Sequence, residues 1–276
     1  MKFTKMHGCG NDYVYVDCFR EKYPKNPAAL SMEISMPHTG VGSDGLILIE
    51  PCEGADARMR IFNKDGSEGE MCGNGIRCMA KYLYDSGLVK KEKMSIRTGS
   101  GIRDVEMIVE GGKATGARVN MGKAEFEPAK IPVNAPDNRV SIVFPDGGKA
   151  DFTCLSMGNP HAVTLNRFPD EKAFYEDGPF VEKHPLFPRR VNASFCRAED
   201  ATHLTARIWE RGSGPTLACG SGACATMVAA HLAGACSKKA HVALPGGSLF
   251  IEFDPDTLTV WMTGTATMMF TGTWLE

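Results

Sequence analysis

Two cysteines are placed for proton chemistry. Cys72 opens the run Cys72-Gly73-Asn74-Gly75, Cys219 opens Cys219-Gly220-Ser221-Gly222, and the two thiols are 147 residues apart. Each run leads into a helical pattern, through Cys78, Ala80, Tyr82 and Leu83 to Gly87 in the first and through Ala225, Met227, Val228 and Leu232 to Gly234 in the second. A cysteine at a helix start meets backbone N–H groups without helical acceptors and the positive end of the helix dipole. This setting is expected to stabilise a thiolate and to bring the thiol below its free pKa of about 8.5. The same N–H groups can hold a carboxylate, and glycine lets the anion come close. If two related halves pack about a pseudo-twofold axis, both helix starts face one cleft. Thiols on opposite sides of one carbon then remove a proton from one face and return one to the other. The implied chemistry is racemisation or epimerisation beside a carboxylate, with both helix starts stabilising an enolate-like transition state.

The elements that position these thiols are themselves duplicated. Arg60-Ile61-Phe62 lies twelve residues before Cys72, and Arg207-Ile208-Trp209 lies twelve before Cys219. Gly10-Asn11-Asp12-Tyr13 pairs with Gly158-Asn159-Pro160-His161, and Gly99-Ser100-Gly101 with Gly246-Gly247-Ser248. Val119-Asn120-Met121-Gly122 resembles Val260-Trp261-Met262-Thr263-Gly264. Matches in one order over so long a period indicate two related domains rather than a solenoid. The polar candidates fall in the repeated loops. Asn11 and Asn159 are equivalent, Asn63 and Glu210 each lie nine residues before their cysteine, and His161 and Arg211 stand beside repeat motifs. Asparagine in a Gly-containing loop is more often a turn residue than a ligand. Placement just ahead of each cysteine weighs toward function.

Each half reads as a curved, mostly antiparallel sheet with one long helix, an α+β arrangement. In the first half strands are expected near 3–6, 13–18, 46–50, 57–63, 94–98, 102–109 and 117–120, with a short helix within 26–36. A linker over 124–138 carries Pro128, Pro132 and Pro136. Strands follow near 141–144, 151–157, 162–165, 203–210, 241–244, 248–253 and 259–262, with a helix near 170–181 and a loop at 189–194. Residues 265–276 read as one more strand. The small residues Ala223, Ala225, Ala229, Ala230 and Ala233 suit a helix closely wrapped by strands.

Composition narrows the class. With 276 residues, 43% hydrophobic and 23% charged, the chain has room for two cored domains. A formal charge of −2 gives no electrostatic case for nucleic acid or an anionic membrane. The first residues lack the apolar core of a signal peptide and no apolar run reaches a membrane span, so a cytoplasmic enzyme or binding protein is expected. Ten cysteines in such a chain are expected to be free thiols, and neither a C-x2-C pair nor other metal spacing is present. Cys18, Cys52, Cys78, Cys154, Cys196, Cys224 and Cys236 read as small buried or incidental residues. No Schiff-base lysine motif is evident and no G-x-G-x-x-G follows a strand, so no cofactor is expected.

Taken together, the motifs resemble the diaminopimelate epimerase family over nearly the whole chain. They are Met6-His7-Gly8-Cys9-Gly10-Asn11-Asp12-Tyr13, Phe62-Asn63-Lys64-Asp65-Gly66-Ser67-Glu68, Cys72-Gly73-Asn74-Gly75-Ile76-Arg77-Cys78, Ser156-Met157-Gly158-Asn159-Pro160-His161, Arg190-Val191-Asn192, Glu210-Arg211-Gly212-Ser213-Gly214, Ala218-Cys219-Gly220-Ser221-Gly222-Ala223-Cys224 and Pro245-Gly246-Gly247-Ser248-Leu249. The resemblance implies a cofactor-independent enzyme interconverting LL- and meso-diaminopimelate, in lysine and peptidoglycan synthesis. It implies two similar domains, each a barrel-like sheet around a central helix: 1–122, with the strand 265–276 returning to it, and 123–264. Cys72 and Cys219 match the acid/base pair, and His161 and Glu210 match residues that assist the thiols. Asn11, Asn63, Asn159, Asn192, Glu210 and Arg211 match substrate contacts, with backbone groups of Gly73-Asn74 and Gly220-Ser221. A homodimer is also implied. Two positions depart from the pattern: Cys9, where leucine is frequent, and Gly45, where some members have glutamine.

Three other readings compete. A racemase for another amino acid, such as proline or hydroxyproline, would share the two-cysteine plan, but Asn63, Asn192 and Arg211 argue for a substrate with a distal polar group. A binding protein would have little reason to keep both thiols. A thiol oxidoreductase would use Cys72 and Cys219 as a redox pair.

Overall fold

The computed structural model describes residues 1–275. In chain order its elements are β1 (Lys2–Gly8), β2 (Asn11–Asp17), α1 (Pro27–Ile34), β3 (Gly45–Glu50), β4 (Ala57–Asn63), β5 (Glu68–Gly69), α2 (Gly73–Asp85), β6 (Lys93–Thr98), β7 (Gly101–Glu110) and β8 (Lys113–Lys123). They continue with β9 (Arg139–Val143), β10 (Lys149–Ser156), β11 (Pro160–Thr164), α3 (Glu171–Glu182), β12 (Asn192–Asp200), β13 (His203–Glu210), β14 (Gly214–Pro215) and α4 (Gly220–Leu232). The last are β15 (Lys239–Leu244), β16 (Gly247–Asp254), β17 (Thr259–Thr265) and β18 (Thr267–Thr273). The chain forms two compact units, Met1–Asn120 with Thr263–Glu276 and Met121–Met262, and passes between them within β8 and β17.

In the first unit β1 pairs with β18 and β2, both antiparallel. β2 runs parallel to β3, β3 antiparallel to β4, β4 parallel to β6, and β6–β7–β8 is an antiparallel meander. The β1–β2 hairpin turns on two residues, Cys9 (φ 54°) and Gly10 (φ 82°). Two successive positive φ values define the turn whose twist matches that of the flanking strands. Glycine takes this conformation freely, while Cys9 holds it against its Cβ. Helix α2 packs against β1, β2 and β7. Residues 73–80 of the helix are buried all round, Arg77 and Cys78 included, and in the turns that follow only Leu83 stays buried. On its partly exposed side, Tyr82 donates to Asp17 (3.0 Å) and Lys81 pairs with Asp85 (2.7 Å).

The second unit repeats the pairing pattern. β10 pairs antiparallel with β9 and β11, β11 parallel with β12, β12 antiparallel with β13, β13 parallel with β15, and β15 antiparallel with β16. Helix α4 packs against β10, β11, β12, β13, β15 and β16. Ala223, Ala225, Ala229 and Ala230 are wholly buried on it, and such small side chains let strands approach on every side. Outside this layer α3 lies on β12 and β13, where Phe174 meets Phe195 edge-on at 5.9 Å and Trp209 at 5.9 Å. Edge-to-face aromatic pairs add about 0.5–1.5 kcal/mol beyond burial.

One expectation fails. Residues 189–194 are not all loop, because β12 begins at Asn192 and runs to Asp200, parallel to β11. Its buried part is Asn192-Ala193-Ser194-Phe195-Cys196. The stretch alternates polar and apolar residues from Asn192 to Phe195, yet all five are buried, so Asn192 and Ser194 occupy interior positions that the pattern alone would turn to solvent. The two-residue strands β5 and β14 were likewise invisible in the pattern.

Candidate active site

Cys72 is the N-cap of α2, with extended backbone at φ −133° and ψ 117°. Its sulfur accepts the Gly75 N–H at 3.3 Å, which fills one of the orphan donors of the first turn. The thiol itself donates to Asn11 Oδ1 at 3.2 Å. The same oxygen accepts from Asn74 Nδ2 at 3.3 Å. Asn11 is the first residue after the tight Cys9-Gly10 turn, so the hairpin sets its position. The space above Gly75 is closed: a Cβ there would lie 2.6 Å from Ile47 Cδ1 and 3.5 Å from the Cys72 sulfur. Asn63, at the end of β4, donates to Ser67 Oγ at 2.9 Å.

Cys219 caps α4 in the same way, at φ −111° and ψ 108°, but makes no side-chain capping bond. Its sulfur lies 3.6 Å from Ser221 Oγ. Glu210, at the end of β13, lies beside this thiol and accepts a hydrogen bond from Thr216 Oγ1. His161, wholly buried on β11, meets Asn159 Oδ1 through Nε2 at 2.9 Å. Because a carbonyl oxygen only accepts, Nε2 carries the ring proton and Nδ1 keeps its lone pair. That Nδ1 is buried and has no hydrogen-bond partner among the described residues. Burial, with the Arg211 charge adding to it, holds His161 down to about 3, so the ring is neutral at pH 7. Asn192 is 3% exposed, donates to Pro160 O at 2.7 Å and accepts the Arg211 N–H at 2.9 Å. It thereby fixes the loop that carries Arg211, whose guanidinium donates to Arg189 O at 3.2 Å.

Both thiols stand above the ordinary cysteine value, which reverses the expectation drawn from their place at helix starts. Burial is the leading cause for each. At Cys72 the Gly75 N–H, the Tyr13 hydroxyl, the Asn74 N–H and the Arg77 charge pull back the other way. At Cys219 the Glu210 carboxylate adds to the rise, and the Ser221 hydroxyl opposes it. Helix-end stabilisation is real in both places, yet removing the sulfur from water outweighs it.

Three residues at this site were not read from the sequence as functional. Tyr13 reaches Cys72, and its only signal was its pairing with His161 in the repeat. Asp44 accepts from Asn11 Nδ2 at 2.7 Å, and Arg77 donates to Asn74 Oδ1 at 2.9 Å. Neither Asp44 nor Arg77 has a charged counterpart in the second half, where Val191 and Cys224 stand 147 residues on, so the duplication could not reveal them. Among the described residues, no group of three or more His, Cys, Asp or Glu could hold a metal ion, and no helix is long and apolar enough to cross a membrane.

Residues 3–127 and 153–269 match the family model described as diaminopimelate epimerase. The chain is 49% identical over 274 residues to the diaminopimelate epimerase of Acetivibrio thermocellus, covering 99% of this chain and 98% of that protein. It is 46% identical over 274 residues to that of Methanococcus maripaludis strain S2, covering 99% of each. Among solved structures, a probable proline racemase from Agrobacterium radiobacter K84 superposes with a TM-score of 0.75 at 13% identity, covering 99% of this chain and 92% of that one. At that identity the likeness shows a shared fold alone.

Proposed function

Because this chain belongs to the diaminopimelate epimerase family, a family of isomerases, we propose that it interconverts LL- and meso-diaminopimelate without a cofactor, using Cys72 and Cys219 as its two proton carriers. The reading places it in lysine and peptidoglycan biosynthesis, in the cytoplasm. The observation that carries it is the pair of cysteine-capped helices, each thiol with its own hydrogen-bond acceptor: the Asn11 amide oxygen for Cys72 and the Glu210 carboxylate for Cys219.

In this reading each thiol serves one face of the α-carbon. The thiol that starts as base must first lose its proton. For Cys219 the adjacent Glu210 takes it, and the neutral His161, with an open Nδ1, assists. The other thiol is already protonated and delivers. The α-carboxylate lies against the first-turn N–H groups of Gly73-Asn74 and Gly220-Ser221, whose dipoles favour the dianionic transition state. Asn11 and Asn159 also contact the substrate, while Asn63, Asn192, Glu210 and Arg211 receive its polar groups, including the distal end.

The test follows the proton. In heavy water, early product from LL-diaminopimelate should carry deuterium at the inverted carbon, while recovered substrate stays largely unlabelled, because the delivering thiol has exchanged with solvent and the accepting one has not. Equal labelling of both pools would point to a single base. Assays beside proline, hydroxyproline, histidine and glutamate decide the substrate, and turnover of one of those without turnover of diaminopimelate would refute the reading. We propose a homodimer as well. β18 exposes Met268, Met269 and Phe270 at 39%, 52% and 47%, an apolar row that a second copy would cover. Sedimentation at working concentration should give twice the 29.9 kDa mass.

A further inference from the structure

The amide of Asn11 can face Cys72 in two ways, with its oxygen or with its NH2 group, and the two have opposite chemical effects. Oxygen accepts from the thiol and favours S–H. An NH2 group donates to sulfur and favours the thiolate. The first unit holds a chain of four side chains that decides between them. Arg77, wholly buried, donates to Asn74 Oδ1 at 2.9 Å, Asn74 Nδ2 donates to Asn11 Oδ1 at 3.3 Å, and Asn11 Nδ2 donates to Asp44 Oδ2 at 2.7 Å. A guanidinium only donates and a carboxylate only accepts, so the two ends fix both amides between them in one sense. Asn11 is left with Oδ1 toward the Cys72 sulfur at 3.2 Å. Asp44 Oδ2 also accepts the Asp12 N–H at 3.1 Å, and Asp12 is itself bound to the buried Lys5, so the acceptor end is tied to the hairpin at two points.

We infer that Asp44 is a positioning residue that acts through Asn11 to keep Cys72 in its proton-donating form. The inference rests on the two-thiol reading above and names a residue that reading does not use. The remaining ionisable or charged groups facing Cys72 are Tyr13 and Tyr15 of β2 and Arg77 and Cys78 of α2, and the substitutions below leave all four in place. Asp44 is exposed, so changing it removes no core packing.

Two substitutions separate an acceptor from a charge. Asp44→Ala removes the acceptor and leaves Asn11 held only through the longer Asn74 Nδ2 bond of 3.3 Å, so that its NH2 group can turn toward sulfur. Asp44→Asn loses the charge but can still place a carbonyl oxygen before Asn11 Nδ2. The first readout is the pH midpoint of Cys72 alkylation by iodoacetamide in the substrate-free enzyme, resolved by peptide mass spectrometry with Cys219 followed in the same digest. Asp44→Ala should move the Cys72 midpoint down by about half a pH unit or more, leaving Cys219 unmoved. It should lower kcat about tenfold, with a smaller change in KM, for the epimer whose conversion uses Cys72 as the proton donor. Asp44→Asn should recover most of both. A wild-type midpoint in Asp44→Ala, a Cys219 midpoint that moves with it, or an Asp44→Asn variant as impaired as Asp44→Ala would each overturn the inference. The alkylation midpoint is read without substrate, so it stands or falls separately from the assignment of diaminopimelate.

Discussion

Cys72 and Cys219 cap helices of equal length, 13 residues each, in units whose strands pair in the same sequence of antiparallel and parallel steps. The backbone treats the two thiols alike. Their side-chain surroundings do not. Cys72 sits in a neutral amide setting, with Asn11 and Asn74 beside it and a buried arginine one turn along the helix. Cys219 sits beside a carboxylate, with a buried neutral histidine in the same unit. At the strand end nine residues before each cysteine, the first unit has Asn63 and the second has Glu210. Duplication thus supplies position, and divergence at a few side chains supplies proton affinity. On the proposed two-thiol reading, an enzyme whose two substrates are not mirror images uses both: a like backbone setting for each thiol, and different electrostatics for ligands that arrive with their distal groups differently placed.

The largest expected effect comes from removing either member of the pair. Cys72→Ala or Cys219→Ala should reduce inversion by roughly a thousandfold or more, since one face then lacks its proton partner. Each variant should still exchange the α-proton of one epimer with solvent, a different epimer in each. Deuterium wash-in followed by NMR reads this, and near-wild-type inversion in either variant would end the two-thiol account. Next is the carboxylate that distinguishes the halves. Glu210→Gln should lower kcat on the order of a hundredfold through loss of the proton acceptor. It should also move the alkylation midpoint of Cys219 to lower pH, because a negative neighbour has been removed. Asn63→Asp tests the converse, and if that carboxylate reaches Cys72 the midpoint there should rise. A Cys219 midpoint unchanged in Glu210→Gln would mean that burial alone sets it.

The histidine predicts a stability slope. His161 titrates near 3 in the fold against 6.5 as its ordinary value, so unfolding takes up a proton once the pH falls below 6.5. Stability is therefore full above 6.5 and declines toward the folded value, by up to about 1.4 kcal/mol per pH unit. His161→Gln should flatten this part of the profile in urea unfolding between about pH 6 and about pH 4. An identical slope in the variant would show that the ring stays solvated. The smallest effect is expected at Ser221, whose hydroxyl lies 3.6 Å from the Cys219 sulfur and replaces Asn74 of the other half. Ser221→Ala should raise the Cys219 midpoint slightly and slow turnover about twofold to fivefold.

The duplicated frame was legible because it rests on local signals. Cys-Gly-x-Gly marks a helix start, the Gly10 and Gly158 loops mark hairpins, and 57–63 and 203–210 alternate clearly enough for both strand ranges to match the structure. β12 was missed because Asn192 and Ser194 interrupt its apolar run, and Asn192 is there to hold Pro160 and Arg211 rather than to fill a core. The thiol pKa values were misread for a different reason. The helix-end effect belongs to the motif and can be read from four residues, whereas desolvation depends on what the rest of the unit stacks over the sulfur. Asp44 and Arg77 escaped because an amide's orientation is set by partners distant in sequence, 33 residues away for Asp44 and Asn11.

The pairing of β1 with β18 has a consequence for biosynthesis. Lys2 lies opposite Thr273, and the backbone of Met1 exchanges hydrogen bonds with that of Trp274, both at 2.9 and 2.8 Å. The second unit is one continuous stretch, 121–262, and can complete its sheet before β18 has been synthesised. The first unit is synthesised earlier and closes later. Until β18 emerges, β1 presents a row of unpaired backbone groups to any other strand in reach, including the β1 of a neighbouring nascent chain. The half made first thus waits on the half made second, and through that interval one edge of β1 is open to pairing with a foreign strand.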